Sequence, residues 1–112
     1  RYVEHIISIS ENEQEAINTL IHKRQIDYLG ECPHLFASTY HPYIADELIK
    51  QEKIGLLLEK LDDYKKLSYK HAEKIISFYL MWGYNEDVIK SNIKNHITSF
   101  DKKERPLILD SL

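Results

Sequence analysis

The stretch from Ser68 to Ile97 constrains the fold most strongly, because it predicts two amphipathic helices joined by a tight turn. Ser68 can cap the first helix, Gly83 can supply the left-handed residue that ends it, and Asn85 can cap the second. Apolar residues at the helical period would line one face of each helix: Ala72, Ile75, Ile76, Tyr79 and Leu80, then Val88, Ile89, Ile93, His96 and Ile97. A turn this short requires the two helices to pack against each other.

The chain length of 112 residues predicts a single domain, and its 43% hydrophobic and 29% charged residues are ordinary for a globular protein. We therefore predict an all-α bundle of five or six short helices over residues 1–112. No apolar run approaches the roughly 20 residues of a membrane span. The chain begins without methionine and ends within an apolar pattern, so we expect it to be part of a longer protein.

Caps and breakers predict the helices of the first half of the chain. Ser10 and Glu13 fit a capping box, and the helix behind it would run as far as Gly30. The segment from Cys32 to His41 is predicted to be a loop. Pro42 suits the first turn of the next helix, where its missing N–H costs nothing.

The sequence after Pro42 contains two further features that bear on the helices. Gly55 leaves open whether one helix with a weak point follows, or two short helices with a corner at residues 51–53. A last helix is predicted to begin near Asp101 and Glu104, with Pro106 in its first turn. We find no internal repeat in the sequence.

Metal-capable side chains lie near one another in the loop region, namely Cys32, His34 and His41, with Asp46 close behind. Their spacing matches no zinc signature, so we predict no metal and no cofactor. Cys32 with a histidine base is the enzyme alternative, and it requires a lowered thiol pKa and an oxyanion site that the sequence does not indicate. We expect a non-catalytic protein.

One basic cluster is present between residues 64 and 74. It contains Lys65, Lys66, Lys70 and Lys74, interleaved with Tyr64 and Tyr69. Lysines could bind phosphates while tyrosines stack on bases, so nucleic acid or an anionic surface is the alternative function. Acidic neighbours dilute the cluster, which favours a solvated helix face.

A dedicated nucleic-acid surface is further disfavoured by the net charge of -3. The helical hairpin could place residues Glu86 to His96 in a major groove, as DNA-reading helices do. That helix opens with Glu86 and Asp87, which phosphates would repel. We therefore expect nucleic acid not to be the partner.

The aromatic content points to a protein partner instead. Eight tyrosines and one tryptophan exceed what the core of a small domain requires. Tyrosine and tryptophan are enriched in protein interfaces. Trp82, beside Gly83 at the end of a helix, either lies at such a contact or plugs the end of the bundle.

Residues 75–112 resemble a ubiquitin-associated (UBA) domain, a three-helix module with a Met-Gly-Phe/Tyr loop after its first helix. Here the loop is Trp82-Gly83-Tyr84, Val88 to Ile93 is similar to the second helix, and Leu107 to Leu112 to the third. The resemblance implies ubiquitin as a partner. It nominates as contact residues Trp82, Gly83, Tyr84, Leu109 and Leu112.

Taken together, these features predict a protein-protein interaction module within a larger regulatory or effector protein. The single cysteine, Cys32, excludes an intramolecular disulfide. A reducing compartment fits best, so we expect the protein to be cytoplasmic or delivered into a host cytosol.

Overall fold

The computed structural model describes residues 2–112, and every α-helix in this range is short. The helices are α1 (Tyr2–Ile9), α2 (Glu13–His22), α3 (Ile26–Glu31), α4 (His41–Lys50), α5 (Ile54–Glu59), α6 (Tyr69–Met81), α7 (Glu86–Asn95) and α8 (Arg105–Ser111). Single 3-10 turns lie at Pro33–Leu35, Ser38–Tyr40, Leu61–Asp63 and Ile97–Ser99. Within residues 2–112 no strand forms, and one isolated bridge joins Leu67 to Phe100. The all-α prediction is confirmed, with more helices than expected.

The additional helices arise where the chain turns within segments expected to be continuous. α2 ends at His22 and α3 begins at Ile26, so Gly30 lies inside α3 rather than beyond a helix end. The corner at residues 51–53 is the correct alternative for the following segment, because α4 and α5 are separate and Gly55 lies within α5.

The capping box predicted at Ser10 is wrong. Its hydroxyl donates to the carbonyl of Ile6 at 2.6 Å and so closes the end of α1. Asn12 caps α2 instead, because its side-chain oxygen accepts the N–H of Glu15 at 2.9 Å. Both residue types cap helices well, and only the position of the chain after α1 decides between them.

Three copies of one two-helix unit follow each other, although the sequence shows no evident repeat. Unit 1 contains α2 and α3, unit 2 contains α4 and α5, and unit 3 contains α6 and α7. In each unit a left-handed residue separates the helices: Arg24, Glu52 and Gly83, at φ of 60°, 61° and 81°. In each unit a 3-10 turn and then a buried, extended aromatic residue follow: Phe36, Tyr64 and Phe100.

The turns of the three units share one hydrogen-bond pattern. The residue after the left-handed position donates its N–H to a carbonyl in the last turn of the first helix, as in a Schellman motif. These bonds run from Gln25 to Leu20 (2.8 Å), from Lys53 to Leu48 (2.7 Å) and from Tyr84 to Tyr79 (3.0 Å). The expectation of no internal repeat is therefore wrong.

Units 1 and 2 align without a gap, and their aligned positions share burial more often than residue type. The aligned buried pairs are Ala16 with Ile44, Ile17 with Ala45, Leu20 with Leu48, Ile26 with Ile54, Leu29 with Leu57, Pro33 with Leu61, and Phe36 with Tyr64. Each unit alone would leave one apolar face in water, and stacking joins these faces into one core.

The predicted hairpin from Ser68 to Ile97 is confirmed as α6 and α7. The hydroxyl of Ser68 accepts the N–H of His71, and the imidazole of His71 in turn accepts the N–H of Ser68 at 2.9 Å. Its helices have 13 and 10 residues, whereas those of unit 2 have 10 and 6. Unit 3 is therefore the longest of the three.

His41 joins units 1 and 2 through three hydrogen bonds to the backbone. Its Nε2–H donates to the carbonyls of Pro33 (2.8 Å) and Phe36 (3.2 Å), and its Nδ1 accepts the N–H of Lys65 (2.8 Å). At the aligned position of unit 1, Glu13 accepts the N–H of Ala37 at 2.9 Å. The side chain of the first residue of the first helix thus accepts the equivalent backbone N–H in both units, that of Ala37 in unit 1 and that of Lys65 in unit 2.

Residues 2–112 include no helix whose length and apolar character would let it cross a membrane.

We expect His41→Ala to destabilise the protein by about 2–4 kcal/mol, because it leaves a buried N–H and two carbonyls without their partner. His34→Ala, at an exposed position of the same segment, should change the stability by less than about 0.5 kcal/mol. Urea unfolding followed by circular dichroism measures both. Equal midpoints for the two variants would contradict the role assigned to His41.

Candidate functional site

The end of the α6–α7 hairpin carries the main exposed apolar surface of the described chain. Every residue from position 80 to 88 is exposed. Five of the ten large hydrophobic side chains that residues 2–112 expose lie here: Leu80, Met81, Trp82, Tyr84 and Val88, which we call the tip patch. Trp82 is 68% exposed, so it does not plug the bundle.

Two members of the tip patch correct the sequence analysis. Leu80 and Val88 were expected on the buried faces of the two helices, yet they are 50% and 58% exposed. Both residues lie at the turn end of the hairpin, in the segment 80–88 where every residue is exposed. The buried stripe instead begins at Ile89 and continues with Ile93.

Ring contacts hold the exposed aromatic side chains in fixed positions. Trp82 packs against Phe78 with ring centroids 6.1 Å apart. Tyr84 meets Tyr79 edge to face at 5.0 Å. Burial, and then the neighbouring Tyr84, raises the pKa of Tyr79, which therefore stays neutral. Phe78, Trp82, Gly83 and Tyr84 line a shallow cleft of about 340 Å³.

A groove of about 540 Å³ is lined by residues of all three units. Its aromatic side chains are Phe78 and Trp82. Most of its other lining residues carry carboxylates, namely Asp27, Glu31, Glu52 and Glu59. The groove was not predicted, because its residues come from three units that are far apart in the sequence.

The five residues nominated by the UBA resemblance do not form one surface. Trp82, Gly83 and Tyr84 lie together in the cleft at the end of α6. Both ends of α8 bond to Tyr69 at the start of α6: Glu104 accepts its N–H at 3.0 Å, and the Ser111 hydroxyl donates to its hydroxyl at 3.3 Å.

The α8 side chains nominated for ubiquitin binding differ in exposure. Leu109 is exposed, whereas Leu112 is half-buried against the core. A 13-residue helix is about 20 Å long, and this length separates the α8 side chains from Trp82.

The lysines of the basic cluster are exposed, but one of its two tyrosines is not available for stacking. Its four lysines, Lys65, Lys66, Lys70 and Lys74, all lie at the surface. Tyr64 is fully buried, and its hydroxyl donates to the carbonyl of Gly30 at 2.9 Å. It is therefore not available to stack on a base. In α7, the helix considered and disfavoured as a DNA-reading helix, Glu86 pairs with Lys90 at 3.2 Å.

The metal-capable residues of the loop do not converge. Both ring nitrogens of His41 are bonded to backbone groups, and Asp46 accepts from Nε2 of His71 at 2.7 Å. Cys32 and His34 do line one cleft, of about 590 Å³, but no hydrogen bond joins them in the described part of the chain. Burial, followed by the charge of Glu31, raises the pKa of the Cys32 thiol.

Ser68, His71 and Asp46 superficially resemble a catalytic triad. Nδ1 of His71 lies 2.9 Å from the Ser68 hydroxyl, and its Nε2 lies 2.7 Å from the Asp46 carboxylate. However, Nδ1 already accepts the N–H of Ser68, so its lone pair is not free to take a proton from the hydroxyl. The arrangement is a helix cap with an imidazole in the place of the usual glutamate.

Trp82, Gly83 and Tyr84 were predicted from the sequence as contact residues, whereas Leu80, Met81, Val88 and the groove carboxylates were not. No family model matches the sequence, and neither the curated proteins nor the solved structures include a match to it.

We expect Cys32 to be alkylated more slowly at neutral pH than a free cysteine, because a raised pKa leaves less of the reactive thiolate. The rate should keep rising with pH beyond the range in which free cysteine levels off. Iodoacetamide kinetics followed by mass spectrometry, with N-acetylcysteine as the reference, measure this. Rapid alkylation at neutral pH would instead favour the cysteine-nucleophile alternative.

Proposed function

We propose that this protein is a non-catalytic protein-protein interaction module whose contact surface is the tip patch. The observation that carries the proposal is the concentration of exposed apolar side chains at one end of one hairpin. Large exposed apolar patches on small domains mark places where a partner binds.

The aromatic side chains of the patch support this proposal. Trp82 and Tyr84 each pack against a second ring, which restricts their positions and so lowers the entropy cost of binding. Tryptophan and tyrosine are among the residues that carry most of the binding energy in protein interfaces. Membership of a larger regulatory or effector protein, in the cytoplasm or a host cytosol, remains part of the proposal, and the lone half-buried thiol of Cys32 is compatible with such a reducing compartment.

Nucleic acid is the weaker candidate for the partner. The exposed lysines of residues 65–74 could bind phosphates, but Tyr64, one of the two tyrosines that would stack on bases, is in the core. Binding through lysines alone would weaken steeply with salt, whereas binding through the tip patch would not.

We expect Trp82→Ala to weaken partner binding by about 2 kcal/mol or more, as is usual for a central tryptophan. The test is a pull-down from eukaryotic and bacterial lysates at low and high salt, with the wild-type and Trp82→Ala proteins immobilised side by side. Circular dichroism first establishes that both proteins are folded. Tyr43→Ala, which removes an exposed aromatic ring outside the tip patch, should retain the partner.

Two outcomes of the pull-down and one direct titration separate the candidates. A protein retained by wild type and Tyr43→Ala but lost by Trp82→Ala supports the proposal. Loss of all binding at high salt or after nuclease treatment contradicts it in favour of nucleic acid. Direct titration with ubiquitin tests the UBA resemblance, which requires Leu109→Ala to weaken binding as much as Trp82→Ala.

A further inference from the structure

We propose that the groove lined in part by Trp82 binds an extended segment of the partner that carries lysine or arginine beside an apolar side chain. This inference rests on the proposed function, because it adds a second part to the contact made by the tip patch. Its support comes from one glycine, from the charge of the groove and from the position of the tryptophan.

The glycines of the chain differ in what the fold requires of them. At Gly30 a Cβ would come within 2.9 Å of the Cδ2 atom of Leu48, so that side chain would have to shift. Gly83 adopts φ of 81°, which other residues rarely adopt. Gly55 meets neither condition: it is the second residue of α5, and a Cβ would have nothing within 4 Å. Neither packing nor backbone geometry therefore requires glycine at this position.

Gly55 lies in the lining of the groove, together with the carboxylates and Trp82. A missing side chain at this point leaves the backbone of α5 bare. Glycine commonly occurs where a ligand or another backbone approaches closely. The position of Gly55 thus favours a narrow occupant, such as an extended peptide, over a broad globular surface.

The charge of the groove determines the chemistry of that occupant. Four carboxylates line it, and its one lysine, Lys53, is already bonded to Asp27 at 2.6 Å. Glu31, Glu52 and Glu59 make no ion pair among the described residues. An acidic partner would be repelled here, whereas lysine or arginine would be attracted.

Trp82 and Phe78 are the aromatic part of the lining of the same groove. An apolar side chain of the segment would pack against these rings, and a neighbouring cation could also lie over the indole face. The rings and the carboxylates together select a segment with both features within a few residues. Lipid and nucleic acid are excluded as occupants by the same carboxylates, because both present phosphates.

The test selects peptides from a displayed library of short random sequences on the wild-type protein and then measures the affinity of synthetic copies by fluorescence polarisation. The selected peptides should be rich in lysine or arginine and should carry a leucine or an aromatic residue nearby. No selected peptide, or selected peptides without a basic bias, would overturn the inference.

Variants at Gly55 test the path of the peptide. Gly55→Leu should weaken binding by about tenfold or more, and Gly55→Ala by less, because each added carbon projects into the groove. Folding is controlled independently, since Gly55→Ala should unfold at an equal or higher temperature than wild type. Ser91→Leu, on an exposed part of α7, should leave the affinity unchanged. Unchanged affinity in Gly55→Leu would overturn the inference.

Charge variants separate the groove from the tip patch. Glu52→Lys and Glu59→Lys should each weaken peptide binding about tenfold, whereas Glu73→Lys, an exposed change outside the groove, should not. Peptides whose binding depends on Trp82 but on neither Gly55 nor these acids would contradict the binding role of the groove and leave the proposed function standing. Peptides whose binding depends on the groove residues but not on Trp82 would instead contradict the binding role of the tip patch.

Discussion

The stacking of units 1 and 2 depends on the hydrogen bonds that the imidazole of His41 makes to both units. It bonds to two carbonyls of unit 1 and to the backbone of Lys65 behind unit 2. Its ring also packs edge-on against Tyr64 at 5.8 Å, and Tyr64 reaches back to the carbonyl of Gly30. These contacts fix how α5 lies beside α3. The groove is built on that pair of helices, so its shape depends on a residue outside it.

Local features of this chain could be predicted from its sequence, and features that depend on stacking could not. The α6–α7 hairpin follows from Ser68, Gly83 and Asn85, which act on their own helices. The repeat is weak in the sequence because most aligned positions do not share a residue type, and because Arg24 and Glu52 occupy left-handed positions where glycine is the usual signal. Periodicity likewise could not show that Leu80 and Val88 are exposed.

The residues of the candidate site show the same division between local features and features that depend on stacking. Trp82 and Tyr84 were identified because aromatic residues beside a glycine turn are a local pattern. The groove carboxylates come from α3, from α5 and from the turn between α4 and α5, and they look like ordinary solvated charges in the sequence. Only the stacking of units brings Glu31 of unit 1 and Glu59 of unit 2 beside Trp82 of unit 3. A binding surface shared among repeats has no signature in any one of them.

The composition of α7 bears on why the tip patch is exposed. In a stack of repeated units, the last unit needs a polar outer face to remain in water. α7 meets this requirement: its buried residues are Ile89 and Ile93, and its other positions apart from Val88 are polar. The apolar side chains that cluster at the tip are therefore not explained as a face on which a further unit would stack. A partner that covers Trp82 and its neighbours would explain why a helix so polar elsewhere begins beside them.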